Sequence, residues 1–297
     1  MHKFEIPQLK VQMEVPSEIS ELSQEDYLVF VELFLLLKSG ELSLKEFRLV
    51  WLNHFYNLQT IKKLPRAKRD DIYATVYKIS ELFDSFLIID QEKNSFELQM
   101  YCIKNLIPFF ELNGIRYYGP QDALTDFTFF EYIDAHQAYA DFISLQDLDS
   151  LTRLVAILYR PEIENFDVVS TSDSYDGQRR VKFNPHAVDH RMKLISELPF
   201  PVMYGIFQFY HSCEIFLKEG EFPMNGSSIK LKLLYSQSGV PSDDTGLVGI
   251  LYTLSESGVF GNARETSETN LYDVMVRLYQ LMQLFKNQEK SNKDGKN

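Results

Sequence analysis

Two histidines four residues apart are the first side chains in the sequence that could carry chemistry. His186 and His190 would share one face of a helix, with Asp189 beside the second histidine. Two imidazoles and a carboxylate are the beginning of a metal site. The stretch lacks the glutamate that follows the first histidine in the HExxH motif, and no third ligand is evident. We therefore expect surface histidines, and a metal-dependent hydrolase that uses the His186/His190 pair stays as an alternative.

A histidine and a cysteine two residues apart form a second candidate. His211 and Cys213 fall within an expected helix, where side chains at this spacing point in different directions. A thiolate–imidazole nucleophile needs the two groups to meet in space, which this spacing does not provide. Burial within an aromatic helix is the better interpretation. Cys102 is the other cysteine, and two distant cysteines make neither a disulfide framework nor a zinc site.

Two glycine-flanked stretches could be mistaken for phosphate-binding loops. The segments 246–249 and 258–261 match neither the P-loop nor the dinucleotide fingerprint, and no Lys-Ser/Thr pair follows them. Asp243 and Asp244 are most simply explained as negative charge that complements the dipole of a helix N-terminus. We therefore assign no catalytic, cofactor-binding or metal-binding residue, expect no cofactor, and expect that the protein is not an enzyme.

Composition and charge narrow the class of protein. The chain has 297 residues, of which 45% are hydrophobic, as in a globular protein. Its formal net charge is −12, so it has no general attraction for phosphate backbones and we expect no nucleic-acid partner. The most apolar run, 27–37, is too short to span a bilayer, and the N-terminus lacks the apolar segment of a signal peptide. These features, with the low cysteine content, predict a cytoplasmic protein without a membrane partner.

Hydrophobic periodicity predicts a mainly α fold of the α+β class. Ser23 is placed to cap a first helix, and Ser43 with Glu46 gives a capping box for a second. The short connection between them indicates a helical hairpin. Later helices are expected at about 69–86, 126–143, 148–160, 184–198, 202–217 and 245–255, and from 270 onward. Extended structure is expected at 1–16, 96–103 and 229–235.

Two later helix starts also carry cap signals. Thr128 with Glu131 can form a capping box, although Thr125 or Asp126 would cap the same helix one turn earlier. Asn184-Pro185 combines an N-cap residue with proline at the first helical position.

The stretch FFELNGIRYYGP, residues 109–120, is a β signal in a mostly helical chain. Asn113-Gly114 is the strongest two-residue hairpin signal, because both residues tolerate the positive φ of a type I′ turn. With these two as the loop, Glu111 and Arg116 lie directly opposite each other, a favourable cross-strand pair. The face predicted to be buried carries four side chains: Phe110, Leu112, Ile115 and Tyr117. This small antiparallel β-hairpin lies in the first half of the helical fold.

A polar stretch suggests where the chain divides. Residues 162–183 are the best candidate for a mobile loop or an interdomain link. They would separate 1–161, a helical hairpin with a small β element and two helices, from a helical C-terminal part at 184–297. The two parts could equally form one continuous domain.

The helix expected at 202–217 is unusually aromatic. Its stripe is either core or a surface for a protein partner, and helical spacing favours core. The stripe consists of Met203, Phe207, Tyr210 and Phe216.

Four blocks of the sequence carry a family resemblance. They are VPSEISELSQEDYLVFVELFLLLKSGELSLKEFRL (15–49), NGIRYYGPQDALTDFTFFEYIDA (113–135), LDSLTRLVAILYRP (148–161) and SGVFGNARETSETNLYDVMVRL (257–278). Together they resemble a family of poorly characterised tail-region proteins from phages and prophages of Bacteroidetes bacteria. The polar insert at 162–183 matches least well. The resemblance implies a structural or assembly role and carries over no catalytic residue.

The function expected from these observations is protein interaction rather than catalysis. The resemblance implies a phage tail assembly factor, chaperone-like, that binds another tail protein such as the tape measure in the cytoplasm of the infected or lysogenic host. Aromatic side chains of the kind found on 202–217 commonly dominate interface energetics. The alternative is a structural virion component, such as a connector or baseplate subunit.

Overall fold

The computed structural model divides the chain into two compact units. It describes residues 1–6, 11–56, 58, 66–90, 92, 95–99, 102–173, 175, 177–224, 227–230 and 246–294. The first unit comprises 1–102 and 199–205, and the second comprises 103–198 and 206–297. The fold is mainly α with small antiparallel sheets, which confirms the expected class.

The first unit combines two antiparallel strand pairs with a helical hairpin. Its elements are β1 (His2–Ile6), β2 (Val11–Val15), α1 (Gln24–Ser39), α2 (Leu44–Phe55), α3 (Arg66–Ser80), β3 (Leu87–Asp90) and β4 (Ser95–Leu98), with 3₁₀ turns at Ile19–Glu21 and Glu81–Phe86. β1 pairs with β2, and β3 pairs with β4. The core is aromatic: Phe30 lies 5.5 Å from both Trp51 and Phe86, measured between ring centroids.

The second unit is built on the contact between its first two long helices, which follow one another in the chain. Its elements are β5 (Phe109–Leu112), β6 (Ile115–Tyr118), α4 (Phe129–Leu145), α5 (Leu148–Leu158), β7 (Arg160–Pro161), α6 (Phe166–Val169), α7 (Val188–Ile195), α8 (Phe200–Glu219), β8 (Glu221–Met224), β9 (Ser227–Lys230), α9 (Gly246–Glu256), α10 (Ala263–Glu268) and α11 (Leu271–Asp294), with 3₁₀ turns at Asp122–Leu124 and Pro185–Ala187. The first six residues of α8 belong to the first unit. α5 is buried over nearly its whole length and packs on α4 and α7.

The cap signals of the sequence are present in the structure. Ser43 and Glu46 form the expected capping box of α2. At α4 the capping box uses Thr128 and Glu131, which decides between the possible caps. Local side-chain hydrogen bonds of this kind involve residues three positions apart, so they can be inferred without knowing the tertiary fold.

The hairpin at 109–118 has the predicted turn and register. Asn113 and Gly114 have φ angles of 52° and 75°, as a type I′ turn requires. Glu111 lies opposite Arg116. The predicted burial of one face is only partly correct, because Ile115 remains 46% exposed. The buried part of this face lies at the end away from the turn. There Phe110 stacks on Tyr159, with 5.1 Å between the ring centroids.

A third strand, which the sequence did not indicate, holds the hairpin in place. β7 pairs with β6, so that Tyr118 lies opposite Arg160. Tyr159, just before β7, donates its hydroxyl hydrogen to the Ile107 carbonyl. At Gly119 a Cβ atom would lie 2.5 Å from the Tyr159 ring, so the close approach of ring and backbone requires glycine. The hairpin thereby fixes the chain that follows α5.

The polar stretch 162–183 lies within the second unit. The stretch is tied to the sheet by backbone bonds. Val181 N–H donates to the Pro161 carbonyl at 2.9 Å, and Ile163 N–H donates to the Arg179 carbonyl at 3.0 Å. Two of the polar residues in this stretch form ion pairs. Arg179 pairs with Glu162, and Arg180 pairs with Asp126.

Several short elements differ from the sequence expectation. The extended N-terminus is a strand pair, β1–β2, and α10 was not anticipated. The strand expected at 96–103 is Ser95–Leu98, while residues 100 and 101 lie outside the described part. Of the strand expected at 229–235, the first two residues fall in β9, and 231–235 lie outside the described residues. Within the described residues, no helix is long and apolar enough to cross a bilayer.

Replacing Gly114 with valine tests the turn. We expect Gly114→Val to lower the free energy of unfolding by about 1 kcal/mol or more, because a β-branched residue resists positive φ. No atom lies within 4 Å of the position that a Cβ would occupy, so the loss would come from backbone strain alone. Urea unfolding measures it. Gly114→Asn is the matched control, since asparagine tolerates this region. Equal stability of the valine variant and the wild type would contradict the turn.

Candidate functional site

The two histidines of the possible metal site do not form one. His186 lies in the 3₁₀ turn Pro185–Ala187 and His190 lies in α7, so they do not share a continuous α-helical face. Both are exposed. Asp189 is also exposed and lies 3.3 Å from Arg153. Among the described residues, no group of three or more His, Cys, Asp or Glu side chains is arranged to hold a metal ion.

His211 and Cys213 have separate surroundings, as the sequence predicts. Cys213 is fully buried. His211 Nδ1 lies 2.7 Å from the Tyr139 hydroxyl, and its ring stacks on Phe207 at 5.8 Å. The core interpretation of the aromatic stripe is confirmed for Met203, Phe207 and Tyr210, which are all buried. Phe216 is half-buried.

The glycine-flanked stretches are helix starts and turns. Gly246 and Gly249 lie in the first turn of α9. Gly258 and Gly261 have φ angles of 69° and 85° in the connection between α9 and α10. The aspartate pair 243–244 is outside the described residues.

A cluster of polar side chains around a buried carboxylate lies between α4 and α8, and the sequence analysis did not identify it. Glu214 is 1% exposed. One oxygen lies 2.9 Å from His136 Nδ1, and the other lies 3.3 Å from Lys218 Nζ and 3.5 Å from the Tyr132 hydroxyl. Tyr132 and His136, four residues apart on α4, face Glu214 and Lys218, four apart on α8. The i,i+4 spacing of polar residues on each of the two helices is the sequence signal that could have revealed the cluster.

The charges in this cluster are mutually stabilised. Burial by itself raises the pKa of the Glu214 carboxyl, but the hydrogen bond and charge of His136 and the charge of Lys218 leave it below its ordinary value. Burial, and then the charge of Glu214, raise the pKa of Tyr139 to about 12. Glu214 is therefore a paired structural carboxylate, with partners on α4 and on its own helix, α8.

The second missed cluster contains two arginines that are almost completely buried. Arg160 is 1% exposed and Arg180 is 2% exposed. Arg160 Nη1 donates to Glu131, in a pair whose two side chains are both buried. Arg180 Nη2 donates to Asp126 at 2.7 Å, and its Nη1 donates to the Leu158 carbonyl at 2.8 Å. Each guanidinium thus has one carboxylate partner.

Three segments bring these four charges together. Glu131 is at the N3 position of α4, where its second oxygen accepts the Thr128 N–H at 3.1 Å. Asp126 precedes the same helix and accepts the Gln121 N–H at 2.9 Å. Arg160 is fixed by β7, and Arg180 by its bridge to Glu162. Neither arginine belongs to a local sequence pattern, and the acidic partners look from the sequence like ordinary helix-start charges.

The two arginines line a cavity of about 750 Å³ in the second unit. Phe127, Phe130 and Phe183 contribute aromatic wall, and Lys182 and Arg264 contribute further positive charge. Small-molecule sites commonly have volumes of about 300–1,000 Å³ with few polar anchors. The arrangement suits binding, since a guanidinium with partners is a donor and not a base.

Comparison with protein-family models, with curated proteins and with solved structures found no match to this chain.

Removing one partner of the Arg160–Glu131 pair tests its energetic role. We expect Arg160→Met to lower the free energy of unfolding by about 3–5 kcal/mol, because it leaves a buried carboxylate without a countercharge. Denaturant unfolding measures the loss. The control is the double variant with Glu131→Gln, which keeps an acceptor for the Thr128 N–H and should recover part of the stability. Additive losses in the double variant would show that the two side chains are not coupled.

The pH dependence of stability tests the Glu214 cluster. The pKa of Glu214 is lowered in the folded state, so its contribution is complete above the ordinary value of 4.5 and is lost as the pH falls through the lower folded value. We expect wild type and Glu214→Gln to differ most near neutral pH and to converge in acid. Glu219→Gln, an exposed carboxylate on the same helix, is the matched control. A wild-type-to-Glu214→Gln difference that is independent of pH would contradict this role.

Proposed function

We propose that this protein is a non-catalytic interaction protein of phage tail morphogenesis. It would act as an assembly factor that binds another tail protein, such as the tape measure. The proposal is carried by one observation: three of the blocks that resemble tail-region proteins, 113–135, 148–161 and 257–278, are neighbours in space. Residues from all three line the arginine cavity.

Main-chain bonds join the first and last of these blocks. Phe129 N–H donates to the Thr269 carbonyl, and Leu271 N–H donates to the Phe127 carbonyl, each at 2.9 Å. The Arg160–Glu131 ion pair joins the middle block to the first. Pieces that are discontinuous in the sequence therefore form one structural region. Three of the four resembling blocks thus belong to one region of the second unit, while the fourth, 15–49, lies in the first unit.

The groups that could have carried chemistry have structural partners, which favours binding over catalysis. His211 bonds to Tyr139, and Glu214 is held by His136 and Lys218. The exposed His186 and His190 do not form the face that the hydrolase alternative requires. The proposal accordingly involves no cofactor.

The corner between α4 and α5 supplies an apolar surface for a protein partner. Leu145 is 67% exposed, Leu148 is 51% exposed and Ile143 is 46% exposed. Gln146 terminates α4 in the left-handed region, and its side-chain amide donates to the Ile143 carbonyl at 3.1 Å, which fixes the corner. Met203, Phe207 and Tyr210 of the aromatic stripe on α8 are buried, so this corner replaces the stripe as the expected contact surface.

The proposed place of action is the cytoplasm of the infected or lysogenic bacterium. A net charge of −12 supports a factor with no nucleic-acid partner, and nothing in the proposal requires a membrane. The same apolar corner would also suit a subunit built into the particle, a connector or baseplate component.

Mass spectrometry of purified virions beside infected-cell lysate tests the proposal and separates its two forms. An assembly factor is expected only in lysate, in complex with a tail protein. If the protein is present in purified virions in stoichiometric amounts, it is a structural component of the virion. Recovery as a lone monomer with turnover activity would reject both.

Charged substitutions at the corner test its role. We expect Leu145→Lys with Leu148→Glu to weaken the complex with the tail protein at least about tenfold, since hot-spot residues commonly contribute about 2 kcal/mol or more. Lysine at the end of α4 and glutamate at the start of α5 complement the helix dipoles, so the fold should be retained. Val248→Glu with Tyr252→Lys is the matched control on an exposed face of α9. Undiminished binding by the corner variant, or an equal loss in the control, would contradict this surface.

A further inference from the structure

The cavity in the second unit has unused hydrogen-bond donors at its buried wall. Each guanidinium carries five N–H donors, and buried donors are ordinarily paired. The Nε atoms of Arg160 and Arg180 are buried, with no acceptor among the described residues. Both side chains line the cavity and are at least nine-tenths buried. These Nε atoms are closed to solvent, so the two arginines offer an incoming anion their positive charge rather than these donors.

The charges around the cavity leave a local positive excess. Burial, and then the neighbouring charge of Arg180, lower the pKa of Arg160 to about 10, although Glu131 opposes the change. The Arg160 guanidinium thus remains charged at neutral pH beside Arg180. The lining holds four cations, Arg160, Arg180, Lys182 and Arg264, against three carboxylates, Asp126, Glu131 and Glu268. A surplus of one positive charge is notable in a chain whose formal net charge is −12.

The mouth of the cavity carries the accessible part of this charge. The side chains of Lys182 and Arg264 are 70% and 85% exposed. They share a single carboxylate, Glu268, at 2.9 Å and 3.2 Å. One carboxylate between two cations leaves them able to attract an incoming anion.

The aromatic residues that line the cavity indicate that the anionic group is attached to an apolar body. The Phe183 ring lies 5.6 Å from the Arg160 guanidinium carbon and packs edge-on against Phe130 at 5.8 Å. Phe127 lies 5.5 Å from the Arg180 guanidinium carbon. Aromatic faces beside cationic anchors bury an apolar body while the charged group is bound at one end.

We propose that this cavity binds a small organic oxyanion, a carboxylate or phosphate carried on an aromatic or aliphatic body. Arg160 and Arg180 supply positive charge behind the wall, Phe130 and Phe183 pack against the body, and the exposed Lys182 and Arg264 attract and bind the oxyanion at the mouth. This binding activity is independent of the proposed role in tail assembly.

Isothermal titration calorimetry with defined probes tests the proposal. Phenyl phosphate and benzoate carry the two oxyanions on the same ring, and benzyl alcohol is the neutral control. We expect one or both anions to bind at least about tenfold more tightly than benzyl alcohol, and added salt to weaken that binding. Preference for phenyl phosphate or for benzoate then identifies the oxyanion. Absence of binding by both anions up to about 10 mM, or equal binding of the alcohol, would overturn the proposal.

Substitutions at the mouth test whether the anion binds in this cavity, and they leave the buried arginine–carboxylate ion pairs unchanged. Lys182→Gln with Arg264→Gln should weaken the bound anion at least about fivefold and leave the melting temperature nearly unchanged, because both side chains are exposed. Arg153→Gln with Lys193→Gln removes the same charge from the same unit away from the cavity and should bind as the wild type does. Equal weakening in both double variants would show non-specific attraction and reject the site.

Discussion

Two guanidinium groups buried beside each other impose the main constraint on the second unit. An isolated buried charge costs several kcal/mol, so Arg160 and Arg180 can be accommodated only where Glu131 and Asp126 arrive with them. The four side chains come from the sheet edge, from the returning segment near residue 180, and from the start of α4. Folding of these segments is therefore coupled, because each arginine is costly until its carboxylate is in place.

The small aromatic hairpin makes this arrangement possible. Its second strand pairs with β7, which fixes the position of Arg160 relative to Tyr118. Gly119 allows the Tyr159 ring to approach the backbone, and Tyr159 connects the end of α5 to the segment before the hairpin. The hairpin thus orients the residue that follows α5 within a mostly helical unit.

The two buried polar clusters of the unit differ in what they leave available. Around Glu214, His136 and Lys218 bind both carboxylate oxygens, so the cluster stabilises the contact between α4 and α8. Around the arginines, the carboxylates are satisfied while Nε donors remain and a cavity adjoins them. The first cluster is consistent with a structural role and the second with ligand binding.

The sequence by itself determined the features that depend on residues a few positions apart. The capping box at Ser43, the type I′ turn at Asn113-Gly114 and its register could all be inferred, because each is specified by local hydrogen bonds or by backbone φ preference. For α4 the sequence left Thr128, Thr125 and Asp126 as possible caps, and the structure selected Thr128. The mainly α class followed from hydrophobic periodicity.

Only the tertiary structure decided which charged residues become buried. Arg160 is 29 residues from Glu131, and Arg180 is 54 from Asp126. Charged side chains are ordinarily solvated, and no local pattern marks the few that are not. The burial of Arg180 also explains why 162–183, polar enough to suggest a link, is part of the second unit. Partners so distant in the sequence are brought together by packing, which local propensity cannot specify.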